Sequence, residues 1–121
     1  MARIALIEDE VDLMDLIREE LEDNRHEVET AMNGEAGLQL IRRIRPDIIL
    51  ADINMPKMNG FQLRNELQNN HPDLAEIPFI FVSAFADSND IADGLIIGAS
   101  HYITKPIDFD ELQGWIMNLT S

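Results

Sequence analysis

Five side chains in this sequence are suited to handling a charged group: Glu8, Asp9, Asp52, Ser83 and Lys105. Each follows or ends a short apolar run. Glu8 and Asp9 come after Ile4-Ala5-Leu6-Ile7, and Asp52 closes Ile48-Ile49-Leu50-Ala51. Ser83 closes Phe79-Ile80-Phe81-Val82, and Lys105 follows Tyr102-Ile103-Thr104. Three carboxylates gathered at one place repel, by roughly 4 kcal/mol for a pair about 4 Å apart at an effective dielectric of 20. A retained proton or a bound cation relieves the repulsion. Hard oxygen ligands with open positions suit Mg²⁺, which keeps waters and shares phosphate oxygens. Such an ion neutralises charge on a transferring phosphoryl group. Lys105 could hold one phosphoryl oxygen as a point charge. Ser83 could donate a hydrogen bond to another, and one carboxylate would be the nucleophile. The chemistry implied is phosphoryl transfer to an aspartate, and the residue types alone leave open which one.

Taken singly, most of these residues have ordinary explanations. An acid after a strand is commonly a helix cap, Lys105-Pro106 is a turn, and Ser83 is a loop hydroxyl. Asp52 resists such an account, because a carboxylate closing an apolar run needs a partner. The joint placement is what points to a site.

That placement depends on the elements between the runs. Residues 3–7 read as a strand buried on both faces. Val11 to Asn24 carries Leu13, Met14, Ile17 and Leu21 at helical spacing. Residues 27–31 alternate as a strand near a sheet edge does. Asn33-Gly34 forms a turn, and the helix after it carries Gly37, Leu40, Ile41 and Ile44 on one face and stops before Pro46. Residues 47–51 and 79–82 are buried strands, and 102–104 is a short one. Further helices are expected over Gly60–Gln68, over 88–97 and over Phe109–Leu119. Asn69, Asn70, His71 and Pro72 break the first of these. Asp108 caps the last, with Glu111 in capping-box position. Five alternating β-α units in one stretch imply a parallel sheet covered by helices on both faces. All five reactive side chains then meet at the carboxyl-end rim, where ligands bind in such sheets.

Composition sets limits. The 121 residues, 45% of them hydrophobic, suffice for one domain with a real core, spanning 1–121. The absence of cysteine excludes disulfides, zinc-thiolate sites and thiol catalysis. No apolar run is long enough for a membrane span or a signal-peptide core, so a cytoplasmic location is expected. A net charge of −14 with only nine Lys and Arg argues against direct nucleic-acid contact.

Four stretches together are recognisable: Leu6-Ile7-Glu8-Asp9-Glu10, Asp52-Ile53-Asn54-Met55-Pro56-Lys57-Met58-Asn59-Gly60, Ser83-Ala84, and Tyr102-Ile103-Thr104-Lys105-Pro106. They resemble the response-regulator receiver family, and the resemblance runs from Arg3 to about Leu119. It implies an α/β, doubly wound, flavodoxin-like fold, with three αβα layers, five helices and strand order 2-1-3-4-5. It also implies that Asp52 is the phosphoacceptor. By the same resemblance Asp9, Asp52 and the Asn54 carbonyl ligate Mg²⁺, while Glu8 acts through a metal-bound water. Lys105 binds phosphate, and Pro106 follows it through a cis bond. Ser83 and Tyr102 are the switch hydroxyl and aromatic, and Ala84 leaves room beside the phosphoryl group.

The mechanism so implied begins with a phosphohistidine on a sensor histidine kinase or histidine phosphotransfer protein, which donates to Asp52. The dianion draws Ser83 and Lys105 inward, and Tyr102 turns into the space vacated. The face built from the fourth helix, fifth strand and last helix changes as a result, and an output domain or target protein reads it. Such a domain catalyses its own phosphoryl transfer and autodephosphorylation but is a signalling switch, not an enzyme with a released product. Asn54 and Phe85 sit at positions that tune phosphoryl loss in the family. The last helix lacks Lys and Arg, which counts against the family's DNA-regulator dimer mode. His101, where many members carry an acid, is expected to be surface variation. Two other functions compete. A phosphate-independent binding module would be expected to lose part of this residue set. A phosphohydrolase would need a titrating group at position 54, where Asn54 stands.

Overall fold

The computed structural model describes residues 1–84 and 100–120. In order these form β1 (Arg3–Ile7), α1 (Val11–Asp23), β2 (Glu27–Ala31), α2 (Gly34–Ile44), β3 (Ile48–Asp52), α3 (Gly60–Asn70), β4 (Phe79–Ser83), β5 (His101–Thr104) and α4 (Phe109–Thr120). The helix expected over 88–97 lies outside the described residues, as does Phe85. The five strands pair in parallel in the order β2-β1-β3-β4-β5. The doubly wound topology is therefore the one expected.

Alternation along the strands divides the core into two layers. Ala5, Ile7, Ile49, Ala51, Phe79, Phe81 and Tyr102 face Leu40 and Ile41 of α2 and Leu63 and Leu67 of α3. Ile4, Leu6, Ile48, Leu50, Ile80, Val82 and Ile103 face Met14, Ile17 and Leu21 of α1 and Leu112 and Ile116 of α4. Every residue of β3 and β4 is buried, as central parallel strands require. Burying each such aliphatic side chain contributes about 1.5–3 kcal/mol. β2 lies at the sheet edge, as its alternation predicts.

Three local details depart from the sequence expectation. Asn33 is the N-cap of α2 and not a free turn residue; its side-chain oxygen accepts from the Ala36 N–H at 2.8 Å. α3 continues through Asn69 and Asn70, because the Asn70 amide reaches Glu66 at 2.9 Å and the His71 N–H still finds the Leu67 carbonyl at 3.0 Å. Pro72 then ends it. At α4, Asp108 accepts from the N–H groups of Asp110 and Glu111 at 3.0 and 3.2 Å. The return half of the capping box is not formed among the described residues; the Glu111 carboxylate instead lies 3.7 Å from His101.

The loop after β3 turns tightly back on the strand. The Gly60 N–H donates to the Ile53 carbonyl at 2.9 Å. A Cβ at Gly60 would lie 2.5 Å from the Asp52 carbonyl oxygen and 3.0 Å from the Ile53 Cα. Only glycine lets α3 start this close to the strand end that carries Asp52. The Asn59–Gln62 capping box, formed in both directions, fixes that start.

Candidate functional site

The carboxyl ends of β1, β3, β4 and β5 share one rim because the strands are parallel and in register: Ile7 pairs with Ala51, Asp52 with Val82, and Ser83 with Thr104. Glu8, Asp52 and Ser83 are buried there, while Asp9 is half-buried. One carboxylate oxygen from each of Glu8, Asp9 and Asp52 lies within 4.8 Å of the others. Lys105 reaches across from the end of β5. Its ammonium is 2.8 Å from Asp52 Oδ2, 3.0 Å from Glu8 Oε1 and 3.9 Å from Glu10 Oε1. The second oxygens of Asp52 and Glu8 are held by backbone donors. The Asn54 N–H donates to Asp52 Oδ1 at 3.1 Å, and the Glu10 N–H donates to Glu8 Oε2 at 3.1 Å. The Lys105 N–H donates to the Ser83 carbonyl at 2.8 Å, which ties β5 to β4 at this point.

The electrostatics follow from burial. Desolvation pushes the Glu8 carboxyl up to about 7, and the nearby Asp52 charge adds to this. The Glu10 N–H and Lys105 pull the other way and only partly compensate. Burial would lower the Lys105 ammonium, but hydrogen bonds and charge from Asp52 and Glu8 outweigh it and raise the group. One lysine thus opposes three crowded carboxylates, and a site with surplus negative charge and hard oxygen donors fits a small divalent cation such as Mg²⁺. Glu8, Asp9 and Asp52 are the side chains that could hold it.

The structure brings together Glu8, Asp9, Asp52 and Lys105, with the Ser83 carbonyl bound to Lys105. Asn54 is adjacent, its side chain exposed and its N–H on Asp52. Ala84 is exposed beside the rim. Pro106 follows Lys105 through a cis peptide bond. Tyr102 points to the opposite layer from Ile103; it is buried, with its ring 6.3 Å from that of Phe81. Two contacts were not foreseen from the sequence. The Glu10 amide holds Glu8, a role carried by the backbone and so without a residue-type signal. His101 stacks on Trp115 at 3.9 Å between ring centroids and faces Glu111. It therefore links β5 to α4, where bland surface variation was expected.

The fold is thus a parallel five-stranded sheet with an acid cluster and a lysine at its carboxyl rim. The response regulator receiver domain model matches residues 4–116 of this chain. The chain is 40% identical to the transcriptional regulatory protein RprY of Bacteroides fragilis, over 91% of this chain and 45% of that one. It is 38% identical to protein PilH of Pseudomonas aeruginosa, over 93% of this chain and 92% of that one. The receiver domain of the Francisella response regulator 1452 superposes with a TM-score of 0.92 at 27% identity, covering 99% of this chain and 97% of that one. The chain belongs to the response regulator receiver domain family of two-component signalling. It spans less than half the length of RprY and 26% of the response regulator PleD of Caulobacter vibrioides.

Proposed function

We propose that residues 1–121 form one receiver domain that acts as a phosphorylation-dependent switch, with Asp52 as phosphoacceptor. The observation that carries this is the position of Lys105 Nζ, 2.8 Å from Asp52 Oδ2, beside the crowded carboxylates of Glu8 and Asp9. An Asp52 oxygen attacks the phosphorus of a phosphohistidine on a sensor histidine kinase or histidine phosphotransfer protein. The P–O bond forms, the P–N bond breaks, and the imidazole leaves with the electron pair of that bond. Lys105 moves from Asp52 Oδ2 to a phosphoryl oxygen, while the Asn54 N–H donates to Asp52 Oδ1 and fixes the carboxylate's orientation. Asp9, Asp52 and the Asn54 carbonyl, with Glu8 acting through a water, are the groups that would hold Mg²⁺, whose charge would neutralise that of the phosphoryl oxygens.

Ser83 is the hydroxyl that answers the new dianion, and Tyr102, buried on β5 against Phe81, is the switch aromatic whose packing changes with it. The affected face includes β5 and α4, and an output domain or target protein reads it. The net charge of −14 argues against direct nucleic-acid contact by this chain. Among the described residues no helix is long and apolar enough to cross a membrane, and a cytoplasmic site of action fits a phosphohistidine donor.

The test is intact mass after incubation with acetyl phosphate, with and without Mg²⁺, for wild type and Asp52→Asn. A Mg²⁺-dependent gain of one phosphoryl group that the variant lacks is expected. Labelling of Asp52→Asn at the wild-type rate sinks the assignment. No labelling under any condition leaves the phosphate-independent binding module.

A further inference from the structure

At the opposite rim of the sheet, beyond the amino ends of the strands, a pocket of about 440 Å³ lies between the carboxyl-terminal ends of α2 and α3. Its walls include Arg42, Arg43 and Arg45 from the end of α2 and His71 and Asp73 from the end of α3. Three of the chain's nine Lys and Arg residues thus converge on one concavity with a single carboxylate in its lining, on a molecule of net charge −14.

Basic residues at helix carboxyl ends ordinarily offset the helix dipole and its free carbonyls. Here those carbonyls have other donors. The Arg45 N–H takes Ile41, the His71 N–H takes Leu67, and Arg3 reaches Ile44 at 3.5 Å. Among the described residues none of the three guanidinium groups is hydrogen-bonded to a helix carbonyl. Arg43 and Arg45 instead lie 3.5 and 2.9 Å from the exposed carboxylates of Glu29 and Asp73. Such surface pairs are weak and exchange readily, whereas phosphate accepts the guanidinium fork with two parallel bonds. Arg45 also holds a left-handed backbone at φ 45°, a conformation that glycine or asparagine adopts more cheaply.

We propose that this pocket binds a small polyphosphate anion, gripped by Arg42, Arg43 and Arg45. A long polyanion is repelled by the remaining surface charge, while a compact one needs only the local arginines. The site lies a full strand length from Asp52, and its occupancy does not depend on the phosphoacceptor assignment.

The experiment is calorimetric titration of the chain with pyrophosphate in buffer containing EDTA, which keeps the acid cluster free of divalent metal. Saturable one-to-one binding is expected. Arg42→Ser with Arg43→Ser should weaken it about tenfold or more, in line with loss of charge-assisted hydrogen bonds. Lys105→Ala should leave it unchanged, and the arginine variant should still take up label from acetyl phosphate. If the double variant does not fold by circular dichroism, Arg42→Gln alone decides. Absence of saturable binding at millimolar pyrophosphate overturns the proposal. So does binding that survives loss of the arginines, or binding that disappears in a Lys105→Ala chain whose circular dichroism is still native.

Discussion

Lys105 carries more than one charge's worth of responsibility, because its ammonium is the counter-ion of two buried carboxylates, Asp52 and Glu8. Replacing it with alanine strands both, and breaking a buried pair in this way costs about 3–5 kcal/mol. Thermal or urea unfolding of Lys105→Ala should show that loss. Added Mg²⁺ should restore more stability to the variant than to wild type; equal gains would mean the lysine does not share the site's charge load. Glu8 supports a second test at this scale. Its carboxyl rises from 4.5 to about 7 on folding, chiefly through burial. Between those values the folded chain holds a proton that the unfolded chain has released, so metal-free stability falls as pH rises through that window. Glu8→Gln should flatten the slope in unfolding curves taken across it, and an unchanged slope would place the titration elsewhere. The residue types at the site were legible in the sequence because each closes an apolar run. The pairing was not, since nothing in a linear chain says that residue 105 bridges residues 8 and 52.

At the scale of elements, the loop between β3 and α3 is set by one missing methyl group. Gly60→Ala places a Cβ against the backbone of Asp52 and Ile53, where no flexible side chain can yield. A cost of about 1–3 kcal/mol is expected from such overpacking. Because the push falls on the carbonyl of Asp52, the proposed acceptor, labelling by acetyl phosphate should also slow. A variant with wild-type melting and labelling would show that the loop has slack. Helices and strands were legible wherever apolar period was strong, as at α1 and β3. They were less so where a side chain chose between two partners. Glu111 faces His101 and not its capping position, and Asn70 extends α3 by bonding to Glu66. Propensity marks such residues as breakers or caps, and tertiary contacts decide which they become.

The whole molecule presents a different balance. Alternating β and α segments announced a parallel sheet, yet five short apolar runs do not order themselves. The order 2-1-3-4-5 was available only through likeness to a family. Long-range ties were equally silent in the sequence. His26 accepts the Ala2 N–H at 3.0 Å and meets Gln113 at 3.2 Å across a separation of 87 residues, so it ties the residue just before the first strand to the last helix. The net charge of −14 was legible from composition alone, and self-repulsion on that scale weakens the compact state. Raising NaCl from low to physiological levels should therefore raise the melting temperature. A fall would indicate that attractive surface pairs outweigh the repulsion.

The bridge from Lys105 to Glu8 and Asp52 also has a temporal meaning. A ribosome delivers Glu8, Asp9 and Asp52 long before it delivers Lys105, and the strand that leads into the lysine sits at the far edge of the sheet. A nascent chain that has gathered β1 and β3 must hold its acids together with borrowed protons or a borrowed cation. It acquires its own counter-charge only when β5 emerges from the exit tunnel and docks. Closure of the acid cluster is thus coupled to completion of the domain, and a chain stalled before that strand cannot neutralise its own site.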